Sequence, residues 1–152
     1  MIASKEVIAR AKRAVEKCGT RDPFEIARMC KAELIIKELG SLKGFYKIIY
    51  RNPFIFLNKS LSATDARIVC AHEIGHHALH REYARIGFEE FSLFSENSRR
   101  EYEANLFAAE LLIADEDIEE LCEYGYSQNQ IAAALGIEEK LVELKLKYCN
   151  KI

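Results

Sequence analysis

All four histidines of this chain stand between positions 72 and 80, in the run HEIGHHALH. On a wheel of about 100° per residue with His72 as origin, His76 falls near ~40°, His80 near ~80°, Glu73 near ~100° and His77 near ~140°. Polar groups therefore hold one side of the helix that this run predicts. Ile68, Ala71, Ile74, Gly75, Ala78 and Leu79 hold the other, an apolar face suited to burial against the protein body. His72 and His76, one turn apart, project together, so two imidazoles reach a single ion at about 2.0–2.1 Å each. Glu73 is adjacent but rotated, close enough to serve a metal-bound water without being a ligand. The arrangement is HExxH. Zinc lowers the pKa of its water towards about 7, and a carboxylate beside it accepts the proton as the water attacks a peptide carbonyl. His77 and His80 read as surface, packing or ligand-supporting groups, with His80 nearer the ligand face.

A catalytic zinc has three protein ligands and one open position. No histidine is left for the third, so it is a carboxylate. The segment EYEANLFAAELL offers Glu101, Glu103 and Glu110. Glu103 and Glu110 share a helical face, whereas Glu101 lies about 160° from Glu103. Periodicity alone does not choose between the two faces.

The elements that must position these groups follow from the rest of the chain. Its 152 residues, 49% apolar and 30% charged, suffice for one core and are too few for two domains. A net charge of -2 gives no global basic field for nucleic acid. Five cysteines, odd in number, widely spaced and never in a CxxC pair, argue against a disulfide framework and a cysteine zinc site. They read as reduced thiols in a cytoplasmic protein. MIASKEVIARAKRAVEK contains no continuous apolar run and so predicts neither a signal peptide nor a membrane span.

Helical spacing of Val7, Ile8, Ala11, Ala14 and Val15 predicts a helix over roughly 4–17 that Cys18-Gly19 can end. Asp22 caps a second helix with Pro23 at its first position. ELIIKEL, GFYKIIYR and PFIFLN read as three strands of a small, mainly antiparallel sheet, with PFIFLN at an edge open to an extended peptide. Ser62 with Asp65 resembles a capping box opening the metal helix, which runs to about Arg81. Residues 82–97 have no clean period and read as a loop or broken helix; a helix from about Ser98 carries RREYEANLFAAELLI. The tail, 115–152, reads as a helical subdomain of the single domain 1–152: DEDIEELCEY, SQNQIAAAL and EEKLVELKLKY, broken at Gly125 and Gly136.

HEIGHHALH followed by EYEANLFAAELL resembles the ImmA/IrrE family of zinc metallopeptidases, whose pattern is HELGH and then an ExEANxFAxxLL helix. FIFLN and ARIVCAHE upstream extend the likeness, which spans roughly residues 25 to 113. The resemblance implies an α+β, minimal zincin-like fold, with Zn2+ held by His72, His76 and Glu103 and with Glu73 as general base. Glu103 is chosen here because it directly precedes Ala104-Asn105; Glu110 then carries a structural or supporting role. The family often places Pro after the Leu-Leu pair, and this chain has Ile113-Ala114 instead, which leaves the helix end open. Tyr46, Tyr50, Tyr83 and Arg99 are unranked candidates for stabilising an oxyanion.

By the same resemblance, the substrate is a helix-turn-helix transcriptional repressor of a phage or mobile element, and cleavage relieves repression. The tail has a helix-turn-helix cadence of its own, turning at Leu135-Gly136-Ile137. Its second helix opens with acidic residues where phosphate contacts would be made, which disfavours DNA and favours a structural or substrate-docking role. The competing reading is a regulatory protein- or DNA-binding module that keeps the fold with little turnover. Such a module has no need of Glu73. A purely structural zinc would call for four protein ligands, commonly cysteines, and none here has suitable spacing.

Overall fold

Each helix boundary has a local cause in the computed structural model, which describes residues 2–83 and 95–149. Helix α1 (Ser4–Cys18) stops where Gly19 turns to φ 68°, donating its N–H to the Val15 carbonyl. Helix α2 (Pro23–Met29) starts where the Asp22 carboxylate accepts the Phe24 N–H, with Pro23 at the position that has no use for an amide hydrogen. Helix α3 (Ala63–Leu79) starts where Ser62 Oγ accepts the Asp65 N–H at 3.1 Å.

The three strands are β1 (Glu33–Lys37), β2 (Gly44–Ile49) and β3 (Asn52–Asn58), in spatial order β1-β3-β2. The sheet is mixed, and β3 is its centre, not its edge. Strand β2 is antiparallel to β3, as a two-residue hairpin loop requires; β1 is parallel to β3. Tyr50 and Arg51 form that loop with φ 49° and 70°, the positive values such a turn demands and which the residue types do not announce. The physical reason is that β1, which precedes the β2–β3 hairpin in the chain, pairs along the free edge of β3 rather than that of β2. In β3, Ile55 and Leu57 are fully buried. Pro53 is tolerated because the pairing with β1 begins one residue later, at Phe54. Asn58, which ends β3, donates its side-chain amide to the carbonyls of Gly40 and Leu42 at 3.0 and 2.8 Å and so pins the loop that leads into β2.

Helix α4 (Ser95–Leu112) runs back along α3. Residues 84–94, most of the stretch expected to be a loop or broken helix, lie outside the described residues. Helix α4 packs against α1, α3 and α7, so Leu106, Phe107, Ala108, Ala109 and Leu111 are all fully buried. Its end needs no proline: Arg21 donates to the carbonyls of Glu110 and Leu111 at 2.9 and 3.0 Å, placing a cation at the negative end of the helix.

The tail forms α5 (Asp115–Glu123), α6 (Gln128–Leu135) and α7 (Glu139–Lys147), with Gly125 and Gly136 at positive φ between them. Ser127 and Gln130 complete a reciprocal capping box at the start of α6. Helix α7 packs on α4 and α6, burying Leu141, Val142 and Leu144 and also Lys145, a residue only 1% exposed. Its ammonium meets Glu110 at 2.9 Å and also Asp115. Glu110 therefore ties the tail to the body. No helix among the described residues is long and apolar enough to cross a membrane, and all five cysteines are free thiols.

Candidate metal centre

The site is built where α3 and α4 lie antiparallel and unusually close. A Cβ added at Gly75 would sit 3.1 Å from both Cα and O of Ala104 and 3.3 Å from Cβ of Phe107. The small residue in HEIGH thus lets the two backbones approach until side chains on α4 meet the polar face of α3. His72 stands opposite Asn105, and His76 opposite Glu101.

Three donor groups converge there. His72 Nε2 and His76 Nε2 are 3.1 Å apart, and the two oxygens of Glu101 lie 3.0 Å from one and the other. A tetrahedral ion with ligands at about 2.0–2.1 Å has ligand atoms roughly 3.3 Å apart, so this spacing fits a small divalent cation. His72, His76 and Glu101 form the metal-capable group among the described residues. Burial works against a charge on Glu101, but hydrogen bonds from His72 and His76 outweigh it and hold the carboxyl well below the usual carboxylate range. Burial likewise opposes a proton on His72, and Glu101 overcomes it and raises the imidazole. A divalent cation satisfies the same excess of lone pairs that otherwise recruits protons.

The remaining ring nitrogens are held from behind. His72 Nδ1 lies 2.8 Å from Asn105 Oδ1, and His76 Nδ1 lies 3.0 Å from His80 Nδ1. His80 Nε2 lies 2.7 Å from Glu103 Oε2, and Glu103 Oε1 accepts the Ile2 N–H at 3.0 Å. Here the structure differs from the expectation for Glu103. The residue is brought to His80 and to the segment just before α1, two bonds removed from the ring nitrogens that face the metal position. On the other face of α4, Glu101 is the carboxylate that meets Nε2 of His72 and of His76. The physical reason is that α4 carries carboxylates on both faces and the Glu103 face is the one turned into the protein: Glu103 is only 4% exposed, whereas the Glu101 side chain, on the cleft side, is 42% exposed.

Glu73 is buried beside the imidazoles, lines the same cleft, and has one carboxylate oxygen, Oε2, with no hydrogen-bond partner. Burial pushes its carboxyl up, against the pull of His76 and His72. Burial also pushes His80 down to about 4 and His77 down to about 4, so both stay neutral near pH 7. His77 turns away from the metal position, its Nδ1 2.7 Å from the Tyr46 hydroxyl.

The cleft, about 310 Å³, is lined by His72, Glu73, Glu101 and Asn105 together with Lys43 and Gly44 from the entry to β2, and by Glu138 from the α6–α7 turn. None of the four residues considered for an oxyanion lines it. Tyr50 is 94% exposed on the hairpin, Tyr83 stacks under Arg100, and Arg99 lines a separate pocket with His80. Among the described residues lining the cleft, Lys43 is the cation. Because β3 has partners on both sides, the open sheet edge beside the cleft is β2. Sequence reasoning did not single out Asn105, Lys43 or Glu138. Asn105 had a legible signal, since it stands one helical turn after Glu101 on the same face.

Comparison with known proteins places these residues in a wider group. The description of the IrrE N-terminal-like domain, peptidase family M78, matches residues 34–147. A protein of Bacillus phage phi105, named uncharacterized immunity region protein 2, is 33% identical over 138 residues, covering 90% of this chain and 87% of its own. The metallopeptidase ImmA of Bacillus subtilis (strain 168) is 26% identical over 145 residues, covering 94% and 85%.

Proposed function

This chain belongs to the IrrE N-terminal-like family of M78 peptidases, and we propose that it is a zinc-dependent endopeptidase in which His72, His76 and Glu101 hold the metal and Glu73 is the general base. The observation that carries this reading is the convergence of three donor groups 3.0–3.1 Å apart beside a buried carboxylate with an unpartnered oxygen. A bound zinc ion supplies Lewis acidity towards water and a peptide carbonyl. Glu73 takes a proton from water in the cleft and delivers it to the departing amine nitrogen, work worth roughly 10²- to 10⁴-fold in rate. Asn105 and His80 keep the two imidazoles aimed. The open edge of β2 offers backbone groups to an extended peptide, with Gly44 and Lys43 at the cleft.

The substrate we assign is a helix-turn-helix transcriptional repressor in the cytoplasm, cleaved to relieve repression of a phage or mobile element. The name of the phage relative, an immunity region protein, favours that setting. A binding module with no turnover gives no reason for burying the Glu73 carboxylate with an oxygen left over.

The test pairs elemental mass spectrometry with a cleavage assay on helix-turn-helix repressors, beginning with any that is encoded next to this chain. Wild type and Glu73→Gln should each carry about one zinc per chain, with turnover lost only in the variant; Glu101→Gln should lose the metal. Full activity in Glu73→Gln, or undiminished zinc in Glu101→Gln, removes the assignment. Metal retained with the repressor left intact removes the substrate but keeps the site.

A further inference from the structure

We infer that His80 and Glu103 form a two-link relay that holds His76 in the one tautomer able to bind a metal, so that Glu103 governs metal affinity without touching the ion. The inference rests on His72, His76 and Glu101 being the ligands.

The protons along this path are not free to choose. His76 Nε2 faces His72 Nε2 and Glu101 at 3.1 and 3.0 Å, and to offer a lone pair there its proton must sit on Nδ1. That Nδ1–H points at His80 Nδ1, 3.0 Å away, which must accept. An imidazole accepting at Nδ1 carries its proton on Nε2. His80 Nε2 lies 2.7 Å from Glu103 Oε2, an acceptor when ionised. The opposite assignment, with His80 donating to His76, would put a hydrogen on His76 Nε2, close the metal position and leave His80 Nε2 facing the Glu103 carboxylate without a proton. One carboxylate at the far end therefore sets every proton in the line. Burial strengthens this, because His80 and Glu103 are only 5% and 4% exposed, and water reaches the pair through a pocket of about 140 Å³ that both line. The second oxygen of Glu103 is fixed by the Ile2 N–H, which holds the carboxylate in place from the segment just before α1. His72 is supported differently, by the neutral amide of Asn105 in a single step. The two ligands thus have independent supports, one charged and two links long, the other neutral and one link long.

In this arrangement Glu103 is a positioning residue. A hydrogen-bonded carboxylate behind a ligating histidine raises the basicity of the ring and fixes its orientation, and loss of such a group weakens metal binding by about 10- to 100-fold. Because Glu103 acts only through His80, the two losses should not multiply. Those of Asn105 and His80, on separate ligands, should.

The experiment is zinc competition against a chromophoric chelator, with cobalt(II) absorption spectra of the same proteins and thermal melts of the metal-free forms. Glu103→Gln and His80→Ala should each weaken zinc binding about 10- to 100-fold and shift the cobalt spectrum. In the His80→Ala background, Glu103→Gln should add less than about twofold, whereas Asn105→Ala should multiply its own loss. Glu103→Gln, whose amide oxygen still accepts from His80, should retain more affinity than Glu103→Ala. If His80→Ala does not fold, His80→Gln takes its place in the cycle. A Glu103→Gln loss undiminished without the imidazole of residue 80 overturns the relay, since Glu103 would then act as a ligand or as general support of the fold. Unchanged zinc affinity in both His80 variants also overturns it. Failure of the underlying ligand set reads differently: Glu101→Gln would then leave zinc affinity where it was.

Discussion

Replacing Gly75 by Ala adds one methyl group at the closest approach of α3 and α4, and its consequences can be worked from the contact distances. The new Cβ would meet Cα and O of Ala104 at 3.1 Å and Cβ of Phe107 at 3.3 Å, against roughly 3.5–4.0 Å for an unstrained carbon contact. Two of those atoms belong to backbone, so the helices must part by a few tenths of an ångström. Overpacking of this kind costs about 1–3 kcal/mol, and the better helix propensity of Ala returns about 0.8–1.0 kcal/mol. The net is a loss of roughly 0–2 kcal/mol, or up to about 8 °C in Tm for a chain this size. The larger effect falls on the metal, because Glu101 rides on α4 and both imidazoles ride on α3. Shifting one helix against the other opens the 3.0 Å spacings, and zinc affinity should fall by about tenfold or more, given that ligand geometry must hold within about 0.5 Å. Melts of the metal-free protein and chelator competition measure the two effects separately. A Gly75→Ala protein with a higher Tm and wild-type zinc affinity would show that propensity wins, and that close helix approach does not set the site.

Two further predictions concern the tail. Lys145→Met leaves Glu110 buried without its ammonium and should destabilise the fold by about 3–5 kcal/mol in urea melts, with partial recovery in Lys145→Met/Glu110→Gln; a change under 1 kcal/mol would mean that α7 is not anchored there. For Asp115, burial opposes its charge, but hydrogen bonds from Lys145 and Lys12 prevail and hold the carboxyl below its ordinary 3.8. The folded chain therefore binds fewer protons than the unfolded chain around and below that pH, so the stability from this group is complete above 3.8 and lost as pH falls through the folded value. Asp115→Asn should flatten the acid limb of stability against pH, and identical slopes in the two proteins would remove the pair from the acid response.

Much of the fold could be read because its signals are local. Asp22-Pro23, Ser62 and Gly136 act through a turn or two of chain, and the structure puts helix boundaries where those residues stand. Strand order was not legible. Whether the PFIFLN run has one neighbour or two depends on where β1 goes after the chain has left it, and nothing within either segment encodes that. The hairpin at Tyr50-Arg51 was hidden for another reason: neither residue type favours positive φ, and the turn is imposed by the flanking pairs. The end of α4 looked open without a proline because the group that closes it, Arg21, lies far away in sequence.

The metal centre shows the same division more sharply. In HEIGHHALH the one-turn spacing of His72 and His76, with Glu73 next to His72, lies within a single helix, so the motif alone brings these three side chains together. Helix α4 offers no such motif for its carboxylates: it packs against α1, α3 and α7 and buries Glu103 and Glu110 along with its leucines. A buried carboxylate then carries no directional information, and the choice between Glu101 and Glu103 passes to the rotation of α4 about its axis. That rotation is fixed by Gly75 against Ala104, a contact that brings Glu101 and Asn105 round to His76 and His72 and leaves Glu103 to reach His80. Both carboxylates reach His76, Glu101 directly at Nε2, where it also meets His72, and Glu103 through His80 at the nitrogen behind. A pattern that singles out either Glu is therefore detecting a real demand of the site, and only the packing of the two helices decides which demand each one meets.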